Sequence, residues 1–336
     1  VRKVLALLLL TVATACDWQR DAPRGGRGDT AELRYVRPLE LAATAPGTVA
    51  LPNRIGSVKF AVIGDSGRGD RPQYDVAAQM VAWRLKFPFA FVLMNGDNIY
   101  EGPASVEDYR QKFEQPYQQL LEGGVKFYAV LGNHDDPRQV YYAPFNMNGN
   151  RYYTFRPPED PVTRLLTSVR FFAIDTVTLD RPQIRWLEQQ LRESDSDWKI
   201  CFFHHPMYTS GRYRRASAAF RIALEPLFTR FGVDAAFAGH EHFYMRSTLQ
   251  GGIQYFVSGG AGSLRYGDST RTPFVARAFD TDYHFMLVEI EREVLSFQVI
   301  SRAGETVDSG ALHRRRSPAS SPTGTVARPR SDARAP

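Results

Sequence analysis

The chain has 336 residues, 43% of them hydrophobic and 23% charged. That is enough for one large domain or two small ones with a sizeable buried core. The formal net charge of +6 sits mostly after Gly310, where Arg314, Arg315, Arg316, Arg328, Arg330 and Arg334 face Asp332 alone; the near-neutral body lacks the basic excess that a nucleic-acid-binding face needs.

The first residues, VRKVLALLLLTVATAC, have the layout of a secretory signal. Arg2 and Lys3 are basic, Val4 to Leu10 form an apolar run too short to span a bilayer, and small residues precede Cys16. A Cys after small residues resembles a bacterial lipoprotein box, although Ala13 stands where that box usually has Leu or Val; a plain cleaved signal is the alternative. Either way the chain is expected to be exported, periplasmic or on the cell surface, with a membrane touched only through an N-terminal lipid anchor. The other Cys, Cys201 in the run KICFF, reads as a small core residue. With Cys16 cut off or lipidated, no disulfide within the chain is available.

Residues 17–54 read as a linker and lead-in, with an edge strand expected over 34–41. Residues 55–303 are expected to form one catalytic domain, and 313–336 a basic, disordered tail. From Val58 onward short apolar runs end in polar, mostly Gly-containing motifs. VKFAVI leads to GDSG, FAFVLM to NGDNIY, KFYAVL to GNHD, RFFAI to DT, KICFF to HHP, and VDAAFA to GHEH. Runs of this length and content predict buried strands. Between them, Val76, Met80 and Trp83, then Ile184, Leu187 and Leu191, then Phe220, Leu224, Leu227 and Phe231 have helical spacing, the last set stopped by Gly232. Alternating strands and helices predict an α/β architecture with largely parallel pairing. Its ligands sit beyond the carboxyl ends of the strands, where all six motifs fall.

Five of the seven His residues, His134, His204, His205, His240 and His242, lie in three of these loops. With Asp65, Asp97 and Asn133 they offer carboxylate, imidazole and carboxamide donors, a set suited to Zn, Mn or Fe. The set exceeds one ion's needs, so two metals are implied, with Asp97 as the candidate bridge between them.

GDSG, GDNIY, GNHD, HHP and GHEH, in this order, resemble the five motifs of the calcineurin-like metallophosphoesterases, over roughly Val58 to Ile300. The resemblance implies that family's αββα fold, two mixed β-sheets packed as a sandwich and flanked by helices. Tyr100, three residues after Asp97, narrows the likeness to the small single-domain purple acid phosphatases, which place a tyrosinate ligand of ferric iron there. It implies Asp65, Asp97, Tyr100 and His242 around Fe(III), and Asp97, Asn133, His204 and His240 around a divalent Fe, Zn or Mn. His134 is implied beside them, in contact with substrate or the leaving oxygen. His205 and Arg212 are candidate substrate contacts; the preferred reading of Arg212, with Arg214 and Arg215, is a solvated basic loop. SGGAGS, Ser258 to Ser263, matches the segment after the last motif, its glycines serving a tight turn or close backbone approach.

One departure is visible: relatives often carry a further His about nine residues after the fourth-motif ligand, and Tyr213 stands near that place. The function implied is dinuclear hydrolysis of a small phosphomonoester, with a hydroxide on the metals attacking phosphorus and no Ser or Cys nucleophile. The alternatives are a metallophosphodiesterase on the same fold, against which Tyr100 argues, and a non-catalytic surface lipoprotein.

Overall fold

The computed structural model describes residues 47–157 and 167–314, and the backbone of a strand at 33–36. The expected signal, Cys16 and the tail beyond 314 lie outside the described residues. Two seven-stranded mixed sheets pack face to face. The first contains β1 (Leu33–Val36), β2 (Val58–Ile63), β3 (Phe91–Met94), β4 (Lys126–Ala129), β12 (His284–Glu291), β13 (Val294–Ser301) and β14 (Thr306–Arg314), in the order β1-β14-β13-β12-β2-β3-β4. The second contains β5 (Tyr153–Phe155), β6 (Val169–Ile174), β7 (Trp198–Phe203), β8 (Ala235–Ala238), β9 (Tyr244–Ser247), β10 (Gln254–Ser258) and β11 (Val275–Phe279), in the order β11-β9-β10-β8-β7-β6-β5. The strands that end in the six motifs pair in parallel, β2 with β3, β3 with β4, β6 with β7 and β7 with β8. Parallel pairing therefore holds for the motif-bearing half, while β12, β13 and β14 extend the first sheet antiparallel.

Strand alternation explains the layering. In β2, Phe60 and Val62 face the other sheet, while Ala61 and Ile63 face the outer helix. Both faces are buried, which is why these strands read as continuous apolar runs. Between the sheets Phe60 stacks on Phe91 at 5.2 Å and meets Phe171 edge-on at 5.3 Å. Outside the first sheet lies α1 (Arg71–Arg84), burying Val76, Met80 and Trp83. Outside the second lie α2 (Arg181–Glu193) and α3 (Arg214–Phe231), burying Leu187, Leu191, Phe220, Leu224 and Leu227. Cys201 is buried in that outer layer, unpaired.

The same four residues, Asp-Arg-Pro-Gln, open α1 and α2. Asp70 and Asp180 accept from the backbone N–H groups of Gln73 and Gln183, and each proline sits where no N–H is needed. Helix α3 stops at Gly232, whose φ of 66° is left-handed. No helix among the described residues is long and apolar enough to cross a membrane.

The sheet continues past residue 303. Strand β14 pairs with β13 from Val294↔His313 to Ile300↔Thr306, and with β1 from Leu33↔Arg314 to Val36↔Ala311. His313 and Arg314 therefore belong to the sheet rather than to the basic tail, because their backbone groups find ladder partners there.

Candidate metal centre

Three of the motifs turn sharply at the carboxyl end of their strands. Asp65, Asp97 and His240 all adopt left-handed backbone, with φ of 55°, 53° and 70°. Non-glycine residues seldom occupy this region, and they cluster at functional sites. The turns are tied to each other by backbone: Asp65 N–H donates to Gly96 O at 3.0 Å, Tyr100 N–H to Gly67 O at 2.9 Å, and Gly239 N–H to His204 O at 3.0 Å. The glycines permit this close approach. A Cβ on Gly239 would lie 2.6 Å from Asp65 Oδ2, and one on Gly132 would lie 2.2 Å from both Asp97 N and Asp97 Oδ1.

The seven candidate ligands come together in two groups. In one, Tyr100 Oη lies 3.3 Å from Asp65 Oδ1 and 3.2 Å from His242 Nε2, which is itself 3.4 Å from Asp65 Oδ1. In the other, His204 Nε2 lies 3.0 Å from Asn133 Oδ1 and 3.2 Å from His240 Nδ1. Asp97 faces both groups: its Oδ1 is 3.5 Å from His204 Nε2, and its carboxylate also contacts the Tyr100 phenol. Ligand atoms of Asp65, Asp97 and His204 lie within 4.8 Å of one another, as do those of His204, His205 and His240.

Tautomers show why this arrangement fits a cation. His204 Nδ1 is 2.8 Å from the carbonyl of Asn95. A carbonyl only accepts, so Nδ1 carries a proton; toward Asn133 Oδ1 and Asp97 Oδ1, Nε2 then presents a lone pair in the neutral ring and a second N–H in the charged one. Carboxylate, carboxamide and imidazole acceptors that converge this closely repel unless a positive charge stands among them, supplied by a proton on the ring or by a metal ion. Asp65 and Asp97 each accept one backbone N–H, from His240 at 2.8 Å and His134 at 3.0 Å, which fixes the carboxylates and leaves lone pairs over.

Electrostatics agree. Burial, with the charge of Asp97 beside it, raises the Asp65 carboxyl well above its ordinary value despite the opposing pull of His204. Asp97, although burial works against its charge, is held below the usual range by the His204 ring and the His134 N–H. Burial and the two carboxylates push the Tyr100 phenol upward. Burial, then the Arg265 guanidinium, brings His242 down to about 3, and burial with His204 and His205 depresses His240. These rings are neutral at ordinary pH and have lone pairs to give. A bound cation would reverse the pressure on the phenol.

The remaining expected residues fall at the rim. Asn133 and His134 are exposed, and the His134 ring stands 4.9 Å from the Tyr100 ring. His205 stacks on Phe220 and is tied by its N–H to Thr176 Oγ1 at 2.8 Å; burial, then His204, lowers it to about 3. Its ring lies 4.4 Å from His240, so the DT motif after β6 serves to seat His205. Arg212 turns outward: its Nε and Nη2 donate to Asp268 at 3.0 Å and 3.1 Å. The neighbouring Tyr213 ring is the one that meets His240, at 4.1 Å. Two arginines that sequence reasoning did not single out, Arg68 and Arg265, border the centre. Their only sequence signal is position, directly after GDSG and two residues after SGGAGS.

Among known proteins, the family model described as calcineurin-like phosphoesterase matches residues 58–244. Human tartrate-resistant acid phosphatase type 5 is 24% identical over 78% of this chain and 93% of its own length. Purple acid phosphatase 4 of Arabidopsis thaliana is 28% identical over 76% and 84%. In solved structures the fold recurs in GAP50, the anchor in the inner membrane complex of Plasmodium (TM-score 0.67, 19% identity, 77% of this chain and 90% of that one). It recurs also in purple acid phosphatase PPD1 from yellow lupin seeds (TM-score 0.59, 19% identity, 85% and 59%).

Proposed function

The chain belongs to the calcineurin-like phosphoesterase family, and from that premise we propose that it is a purple acid phosphatase-like hydrolase of small phosphomonoesters working on two metal ions. The observation that carries this reading is the meeting of Tyr100 Oη, Asp65 Oδ1 and His242 Nε2 within 3.4 Å, next to a second cluster centred on His204. A phenolate is a hard anionic donor, so Asp65, Tyr100 and His242 would hold ferric iron. Asn133, His204 and His240 would hold a divalent Fe, Zn or Mn, with Asp97 shared. Bound there, the pair would acidify water and neutralise charge on the phosphoryl oxygens.

The chain's own residues supply orientation and proton handling. The backbone N–H groups of His134 and His240 keep the two carboxylates aimed inward. His134, exposed at the rim, has room to protonate the leaving oxygen, an effect on the order of 10²–10⁴-fold. The likeness to a human and a plant acid phosphatase supports the monoester preference.

The test is hydrolysis of p-nitrophenyl phosphate beside its bis-ester by protein reconstituted with iron plus zinc or manganese. Faster turnover of the monoester is expected; preference for the bis-ester would replace this reading with a phosphodiesterase. The ferric assignment has its own check. Tyr100→Phe is expected to abolish a visible tyrosinate-to-iron absorption while the metals are retained, and an iron-loaded wild type without colour would rule the assignment out. Export and lipid attachment at Cys16 belong to the same proposal. On fractionating cells that make the full chain, Cys16→Ser should release the protein from the membrane; identical distribution of both forms would reject the anchor.

A further inference from the structure

We propose that Arg68 and Arg265 form a guanidinium clamp for a second anionic group of the substrate, a phosphoryl or carboxylate next to the phosphoryl that is removed; this rests on the phosphomonoester reading above. Arg68 is carried by the turn after β2. Its Nε donates to Ser263 Oγ at 3.0 Å, and its guanidinium lies 3.7 Å over the Tyr100 ring. Arg265 enters from the loop after β10. Its backbone N–H donates to His242 O at 3.0 Å, and its Nη1 approaches His240 O at 3.4 Å. Ser263, which orients Arg68, is two residues from Arg265, so one loop sets both side chains.

Two guanidinium groups bordering one centre work against any cation that would be held there. Some buried or half-buried guanidinium groups of the fold are matched with carboxylates, Arg246 with Asp308 at 2.8 Å and Arg151 with Asp175 and Asp180, and others, such as Arg84, Arg170 and Arg221, rest on neutral oxygens away from the centre. Arg68 makes no ion pair among the described residues. The nearest carboxylate to Arg265, Glu241 Oε2, stands at 3.9 Å and is itself buried. Both guanidinium groups favour the neutral His242 ring. A planar fork of N–H donors matches the oxygens of a phosphate or carboxylate, and such an anion would relieve the repulsion. Arg68 sits over the ring of Tyr100, whereas the phenol oxygen is the atom that meets Asp65 and His242. Its reach is therefore to a group beside the reacting phosphoryl.

The experiment uses the full metal-loaded chain and its Arg68→Gln and Arg265→Gln variants. It compares kcat/KM for p-nitrophenyl phosphate, inorganic pyrophosphate and 2-phosphoglycolate, and calorimetric affinity for pyrophosphate and phosphoglycolate against inorganic phosphate. Each variant is expected to lose on the order of tenfold to a hundredfold on pyrophosphate or phosphoglycolate, and about threefold or less on p-nitrophenyl phosphate. The compound that suffers identifies the second group as phosphoryl or carboxylate. Its affinity advantage over phosphate should vanish in parallel. Equal losses on all three compounds, or none, overturn the clamp. Arg68→Lys keeps a cation over Tyr100 and serves if the Gln variant does not fold. If the wild type fails to hydrolyse p-nitrophenyl phosphate, the monoester reading falls, while calorimetry still decides the clamp without turnover.

Discussion

Asp97→Asn is expected to lower turnover of p-nitrophenyl phosphate on the order of 10²–10³-fold or more, together with loss of bound metal. The carboxylate is 1% exposed, and it is the group that faces both Tyr100 and His204. Asparagine has the same shape and keeps an oxygen for the His134 N–H, now 3.0 Å from Oδ1. It also tolerates the left-handed backbone at this position. What it removes is one negative charge and one shared donor oxygen. Asp65 is raised by burial first and by the charge of Asp97 beside it. The Asn variant relieves Asp65 but gives up the attraction that holds Asp97 below its usual range, so without metal it is expected to melt close to the wild type. The stabilisation that metal adds to the wild type, about 2.7 kcal/mol at a hundredfold excess over Kd, should be lost. Metal content by elemental analysis and melting with and without metal give the two halves of the result. Wild-type turnover with a full complement of metal would sink the bridging role.

Gly132→Ala is expected to cost about 3 kcal/mol of stability and to weaken metal binding as well. The added Cβ would meet Asp97 N and Oδ1 at 2.2 Å and Asp97 Cγ at 2.9 Å. Backbone cannot rotate away as a flexible side chain would, so the loop after β4 must move off the loop after β3. That movement carries Asn133 and His134 with it and loosens the Gly132 N–H bond to Asp135 Oδ2, now 2.8 Å. Denaturant unfolding and metal titration measure both effects. A variant with wild-type stability and affinity would mean that the two loops do not touch at this point.

Much of this was legible along the chain. The six strands are continuous apolar runs because both faces of each sheet are covered, and each run ends in a polar motif because the strands stop at the same edge. The repeated Asp-Arg-Pro-Gln works within four residues, so its capping needs no tertiary help. Gly232 likewise ends α3 through its own backbone freedom. The seven candidate ligands came from the likeness of the motifs to a known family, which names the residue type at each position. Local sterics and local hydrogen bonds are properties of a few consecutive residues, so they can be read along the chain.

Tertiary structure decided what surrounds that centre. Arg212 and Tyr213 are adjacent and equally plausible as neighbours of the metals, yet Asp268, fifty-six residues away, draws Arg212 outward and leaves Tyr213 over His240. Arg68 and Arg265 border the same centre because Ser263, on the loop that carries Arg265, holds Arg68 from the other sheet. Strand β14 extends through His313 and Arg314, residues that look like the start of a basic tail, because β13 and β1 offer their ladders. Which guanidinium reaches the substrate, and where the sheet ends, depend on partners far apart in the chain. No local pattern encodes such contacts, because their energy exists only once the two sheets have packed.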